Sequence, residues 1–146
     1  MKKQILLTLM FALVGFSYGQ ESQYPHQVLS KPSNQAALIT QHLKDLFGEH
    51  YNTYGSNDEA VAFYTDFYDR CEFLTANEIP AIVPNISTLM VKSKYNPEVI
   101  FHDNISVFNI ETFNVFKYNL NFNSSQNLYY RIYNTNTVLK INKKIN

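Results

Sequence analysis

The chain has little of what small proteins use to build recognisable sites. It holds one cysteine, Cys71, no tryptophan and four glycines among 146 residues. A single cysteine cannot close an internal disulfide, so the fold must stand on packing. Two of the glycines, Gly15 and Gly19, lie in the opening stretch, which leaves Gly48 and Gly55. Glycine-rich phosphate cradles and a G-x-S-x-G nucleophile elbow are therefore excluded. Charge of one sign is missing too, with 12 Lys+Arg against 12 Asp+Glu. No basic face points to nucleic acid, and no polybasic run points to an anionic lipid surface.

The longest apolar run, Ile5 to Phe16, is interrupted only by Thr8 and Gly15. It is too short to cross a bilayer, which takes about 20 apolar residues. Lys2 and Lys3 precede it, and Ser17 and Gly19 put small residues three and one positions before Gln20. A charged start, an apolar middle and a small-residue cleavage point form a secretory leader over residues 1–19. Its removal from the 146 residues leaves 127, a usual size for one domain. The mature chain then carries 10 Lys+Arg, having lost Lys2 and Lys3, against 12 Asp+Glu, a net charge of minus two. The expected location is periplasmic or extracellular, with no stable membrane insertion after cleavage.

Aromatic residues are plentiful, with 11 Phe and 11 Tyr. Each buries a large apolar area, so the chain can build a substantial core. Asparagine is used 17 times. The Asn-x-Ser triplets at Asn85, Asn104 and Asn123 are what that frequency produces by chance, and carry no glycosylation reading here.

Gln20 to Ser33, with Pro25 and Pro32, reads as an extended arm; residues 34–146 read as a single domain. Asn34 to His50 reads as a helix capped by Asn34, with Ala36, Ile39, Leu43, Leu46 and Phe47 on one face. His42, Asp45 and Glu49 fall on the opposite face. Ser56 to Leu74 reads as a second helix, opened by a Ser56–Glu59 capping box. Its apolar arc runs through Phe63, Tyr64, Phe67, Tyr68, Cys71 and Leu74, and Asp66 can pair with Arg70 one turn on.

The remainder reads as strand. Short candidates are residues 79–84, 86–92, 98–102 and 106–110. The clearest is 114–123, where Phe116, Tyr118, Leu120 and Phe122 alternate with Lys117, Asn119, Asn121 and Asn123. Residues 128–133 and 137–142 follow, separated by the Asn134-Thr135-Asn136 turn, and complete a three-stranded meander. Helices first and strands later imply an α+β fold: two N-terminal amphipathic helices packed on one face of an antiparallel sheet of four to six strands, ending in the meander. The order of elements is similar to that of cystatin-like and NTF2-like domains, without a shared motif.

Chemistry-bearing residues are sparse. His42, Asp45 and Glu49 have metal-ligand spacing on one helix face, yet a solvated polar face explains them as well, and no H-E-x-x-H accompanies them. His102 beside Asp103 ends a strand candidate, but neighbours on a strand point to opposite faces. Cys71, in the apolar arc, is expected to be a buried and unreactive thiol. Tyr129, Arg131 and Tyr133 alternate with Leu128, Tyr130 and Ile132, and so share an outward face with Lys117. A Tyr/Arg strip of this kind is the composition of a recognition surface. The expectation is a non-catalytic exported domain binding a protein or glycan through that face, without cofactor, metal or nucleic acid. The alternative is a small exported hydrolase-like enzyme using His102 or His42 in a cleft.

Overall fold

The computed structural model describes residues 26–89, 93–99 and 105–145. The leader residues 1–19 and His102 fall outside this range, as do the ends of strand candidates 86–92 and 98–102. Two helices, α1 (Gln35–Phe47) and α2 (Asp58–Arg70), are followed by strands of a four-stranded antiparallel sheet. The strands are β1 (His26–Val28), β2 (Cys71–Ala76), β3 (Leu128–Arg131) and β4 (Thr137–Ile141), in the spatial order β1-β2-β4-β3. The α+β class with an antiparallel sheet is as expected.

The arm contributes more than a lead-in. His26, Gln27 and Val28 pair with Ala76, Thr75 and Leu74, making β1 an edge strand. Lys31 then reaches the end of α2: its ammonium donates to the carbonyls of Tyr68 at 2.6 Å and Asp69 at 3.1 Å. It also lies 4.8 Å from the centroid of the Tyr68 ring. Late carbonyls of a helix have no partner inside the helix, and a cation there also meets the negative end of the dipole.

α1 ends in a tight turn, Gly48–His50, and a single π turn, Tyr51–Gly55. Gly48 takes φ +56°, the left-handed conformation that suits glycine, and its N–H bonds back to Lys44. Asn34 stands at the start of α1, but its side chain makes no capping bond. At α2 the cap is Asn57, whose oxygen accepts from the N–H of Ala60 at 2.8 Å. Ser56 Oγ instead donates to the carbonyl of Asn52, so the Ser56–Glu59 box does not form. The Asp66–Arg70 pair is present at 3.2 Å.

α2 stops at Arg70, four residues before the expected end, because Cys71 turns extended with φ −77° and ψ 134°. Over so short a stretch an apolar arc of period 3.6 and an alternation of period two are hard to separate. Cys71 and Phe73 pair with Ile141 and Leu139 of β4, and all four enter the main core. That core also takes Ile39, Leu43 and Phe47 from α1 and Phe67 and Tyr68 from α2. Arg70 binds it to the chain's later half, donating to the carbonyls of Phe122 at 2.8 Å and Asn142 at 3.3 Å.

The region 79–123 contains no strand among its described residues. The clearest strand candidate, 114–123, is instead a short 3-10 turn, Val115–Lys117, followed by irregular backbone. The expected three-stranded meander is therefore reduced to the β3–β4 hairpin, with β2 rather than 114–123 beside β4. Asparagine supplies the reason. The side-chain oxygens of Asn85, Asn96, Asn109, Asn114 and Asn121 each accept from the backbone N–H two residues on. Such local turns occupy donors that a β-ladder would need. The alternation of burial survives even so: Phe116, Tyr118 and Leu120 are buried, while Asn119, Asn121 and Asn123 face outward.

Candidate functional site

The expected outward strip does not assemble as a unit. Tyr133 is buried, with φ +46°, and its hydroxyl meets that of Tyr118 at 3.2 Å. The β3 phase ends at the turn, so Tyr133 joins the core in place of the outward face. Tyr129 and Arg131 do lie on the sheet face opposite the main core, across from Lys140 and Val138, but both are only half exposed. The outer edge of β3 is partly covered as well: the Arg131 N–H donates to the carbonyl of Pro84 at 2.8 Å. Lys117 belongs to a different neighbourhood, beside Asp45 of α1, where it lines two cavities.

His42 also departs from expectation. It is 2% exposed, and its ring packs edge-on against Phe116 with centroids 6.1 Å apart. Neither ring nitrogen has a hydrogen-bond partner. Burial pushes its pKa down to about 4; Lys117 pushes the same way and Asp45 opposes. The segment that covers it is held by Asn114, whose amide donates to the His42 carbonyl at 2.9 Å. Asp45 and Glu49 remain exposed. The three candidate ligands thus do not converge, and no group of three or more His, Cys, Asp or Glu among the described residues could hold a metal.

Cys71 is fully buried, and burial pushes its thiol up to about 12. A thiolate is the reactive form, so this sulfur is inert at ordinary pH. The expectation of an unreactive cysteine therefore stands, on a strand rather than in a helix.

An open groove of about 840 Å³ lies between α2, the π turn, residues 93–95 and residues 116–122. Its aromatic lining comes from segments that carry no sequence motif. Tyr54 and Tyr95 meet at a tilt with centroids 4.6 Å apart, Tyr95 meets Phe47 at 5.5 Å, Phe47 meets Tyr64 edge-on at 6.2 Å and Tyr64 meets Phe63 edge-on at 5.2 Å. Those successive ring contacts form one run, with Tyr54 at one end and Phe63 at the other. Phe122 backs the run by meeting Phe63 edge-on at 5.4 Å and Phe67 at 4.3 Å. Tyr54 is 44% and Phe63 38% exposed. Large half-exposed rings beside an open groove are the kind of surface that marks binding.

The sequence does not reveal the groove as a site because Tyr54 and Tyr95 are 41 positions apart in non-periodic segments. Asn96 brings them together: its amide donates to the carbonyl of Asp45 at 2.8 Å and so docks residues 93–96 against the end of α1. The one signal available in the sequence is the pair of aromatics at Tyr51 and Tyr54, which periodicity assigns to no element. A second cavity, of about 320 Å³, is lined by residues 105–118, including Ser106, Asn109 and Thr112. Among the described residues no helix is long and apolar enough to cross a membrane. Comparisons with known protein families, with curated proteins and with solved structures find no match.

Proposed function

We propose that the protein is an exported, non-catalytic binding domain, and that its ligand occupies the aromatic groove bounded by Tyr54 and Phe63. The observation that carries this reading is the 840 Å³ opening, lined by the part-exposed rings of Tyr54, Phe63, Tyr64 and Tyr95 and by the charged groups Glu59, Lys94 and Lys117. Apolar lining with a few placed polar groups is the general form of a ligand site. Lys117, assigned by the sequence pattern to a recognition face, belongs to this groove; Tyr129 and Arg131 remain a lesser surface on the far side of the sheet. The hydrolase-like alternative is weakened because His42, one of its two histidines, is sealed in the interior without a proton partner. Export rests on the leader pattern of residues 1–19.

The test is an amide-resonance titration with a panel of oligosaccharides and short peptides. Shifts gathered at residues 54, 63, 95 and 119 and abolished by Tyr54→Ala or Phe63→Ala are expected. Shifts confined to Tyr129 and Arg131 would overturn the groove reading. Intact-mass measurement of protein recovered outside the cytoplasm should find a chain beginning at Gln20; an unprocessed Met1 would remove the export argument.

A further inference from the structure

We infer that His42, Asp45 and Lys117 form an acid-operated latch: once protonated, the His42 imidazole leaves its place against Phe116 and turns outward to Asp45, and the Val115–Lys117 turn beside both cavities loosens. The latch holds whatever the groove binds.

The ring sits where a neutral imidazole is tolerated and an imidazolium is not. Both its nitrogens are buried without a hydrogen-bond partner, and a charge there would be unpaired. Phe116 covers the ring edge-on, and Lys117, the next residue, repels a proton on it. Asp45 pulls the other way. It stands three residues further along α1 and is exposed, so it offers a charged imidazole a partner at the surface. That carboxylate already lies beside Lys117 and accepts from Gln41 at 3.1 Å. From α2, Tyr64 and Tyr68 also meet Phe116; burial pushes both hydroxyls upward, so they stay neutral in acid.

The turn covering the ring is the part able to respond, because it belongs to no strand. The Phe116 N–H bonds to the Asn114 side chain, whose amide in turn donates to the His42 carbonyl. Segments held by separate bonds of this kind open more readily than paired strands. Phe116 lines the groove and Lys117 lines both cavities, so loosening the turn reshapes them together.

Amide hydrogen exchange of the whole protein, corrected for the intrinsic effect of pH on exchange, reads the opening. Between pH 7.5 and 5 the opened population should rise about 30-fold or more, the ratio for an imidazole of ordinary pKa, about 6.5, that charges only when open. The N–H groups of Phe116 and Lys117 should show that rise while exchanging well ahead of the β2–β4 ladder. The Leu29 N–H, whose bond to Phe73 opens with the β1 edge alone, should show none. His42→Leu and His42→Gln, uncharged at every pH, should flatten the response, and Asp45→Asn should reduce it by about twofold or more. A flat response in the parent, or a rise that survives both His42 variants, overturns the latch. Turn and ladder exchanging at one rate would mean unfolding of the whole chain and overturn it equally. An undiminished rise in Asp45→Asn overturns Asp45 as the destination.

Discussion

His42 makes the stability of this protein depend on pH in a window where few other groups titrate. Its imidazole is buried without a partner, and the folded pKa of about 4 lies below the ordinary 6.5. The unfolded chain therefore takes up a proton as pH falls through 6.5, while the folded chain does not until about 4. Stability is complete above pH 6.5, declines between 6.5 and 4, and is lost in full below that range. At about 1.36 kcal/mol per tenfold change in proton affinity, the whole effect is about 3 kcal/mol, of which about 2 kcal/mol is gone by pH 5. Most carboxylates protonate lower, near about 4, so the interval from pH 7.5 to 5 isolates the histidine. Urea unfolding should show the midpoint falling by roughly 1 M across that interval, for a slope near about 2 kcal/mol/M. His42→Leu removes two unsatisfied nitrogens at similar volume; it should match or exceed the parent at pH 7.5 and flatten the pH dependence. A parent midpoint that does not move between pH 7.5 and 5, or a Leu variant that keeps the same slope, would refute the reasoning.

Three further outcomes follow from the packing. Cys71→Asp should cost several kcal/mol because a carboxylate would enter a site with no exposure, whereas Cys71→Ala should cost far less; thermal melts of the two variants check this, and the native thiol should resist labelling until the chain unfolds. Lys31→Met should destabilise by about 1 kcal/mol through the loss of two bonds to the last carbonyls of α2, and limited proteolysis should then release the 26–31 arm faster. Gly48→Ala meets both a left-handed backbone and the Asn96 side chain at 2.9 Å from the new Cβ; a loss of about 1–2 kcal/mol is expected, with Tyr95 resonances shifting as residues 93–96 move away from α1.

Much of the helical half is legible in the amino-acid pattern. The spacing of Ile39, Leu43, Leu46 and Phe47, and of Phe67 and Tyr68, marks faces that do pack into the core. Helices are local, and each turn's preference is written within a few residues. The β3–β4 hairpin is legible for the same reason, since Asn134-Thr135-Asn136 closes it within a short span. By contrast, most of β2 lies inside an expected helix because only its distant partners, β1 about 48 positions before it and β4 about 66 positions on, make Cys71–Ala76 a strand.

The same division holds across the whole molecule. Sequence alone settled the α+β class, the aromatic core, the inert cysteine and the absence of glycine-built sites, since these follow from composition and short-range period. It also settled which of residues 116–123 turn inward, even though their backbone is not a strand. The asparagine turns in that backbone are local, each a bond to the N–H two residues on, which the alternation of apolar residues does not register; tertiary structure decided that His42 and Tyr133 would be buried. It also decided that Tyr54, Tyr95 and Phe63 would meet along one groove. Those outcomes depend on contacts between segments tens of residues apart, and a pattern read over a few neighbours carries no record of what will later cover it.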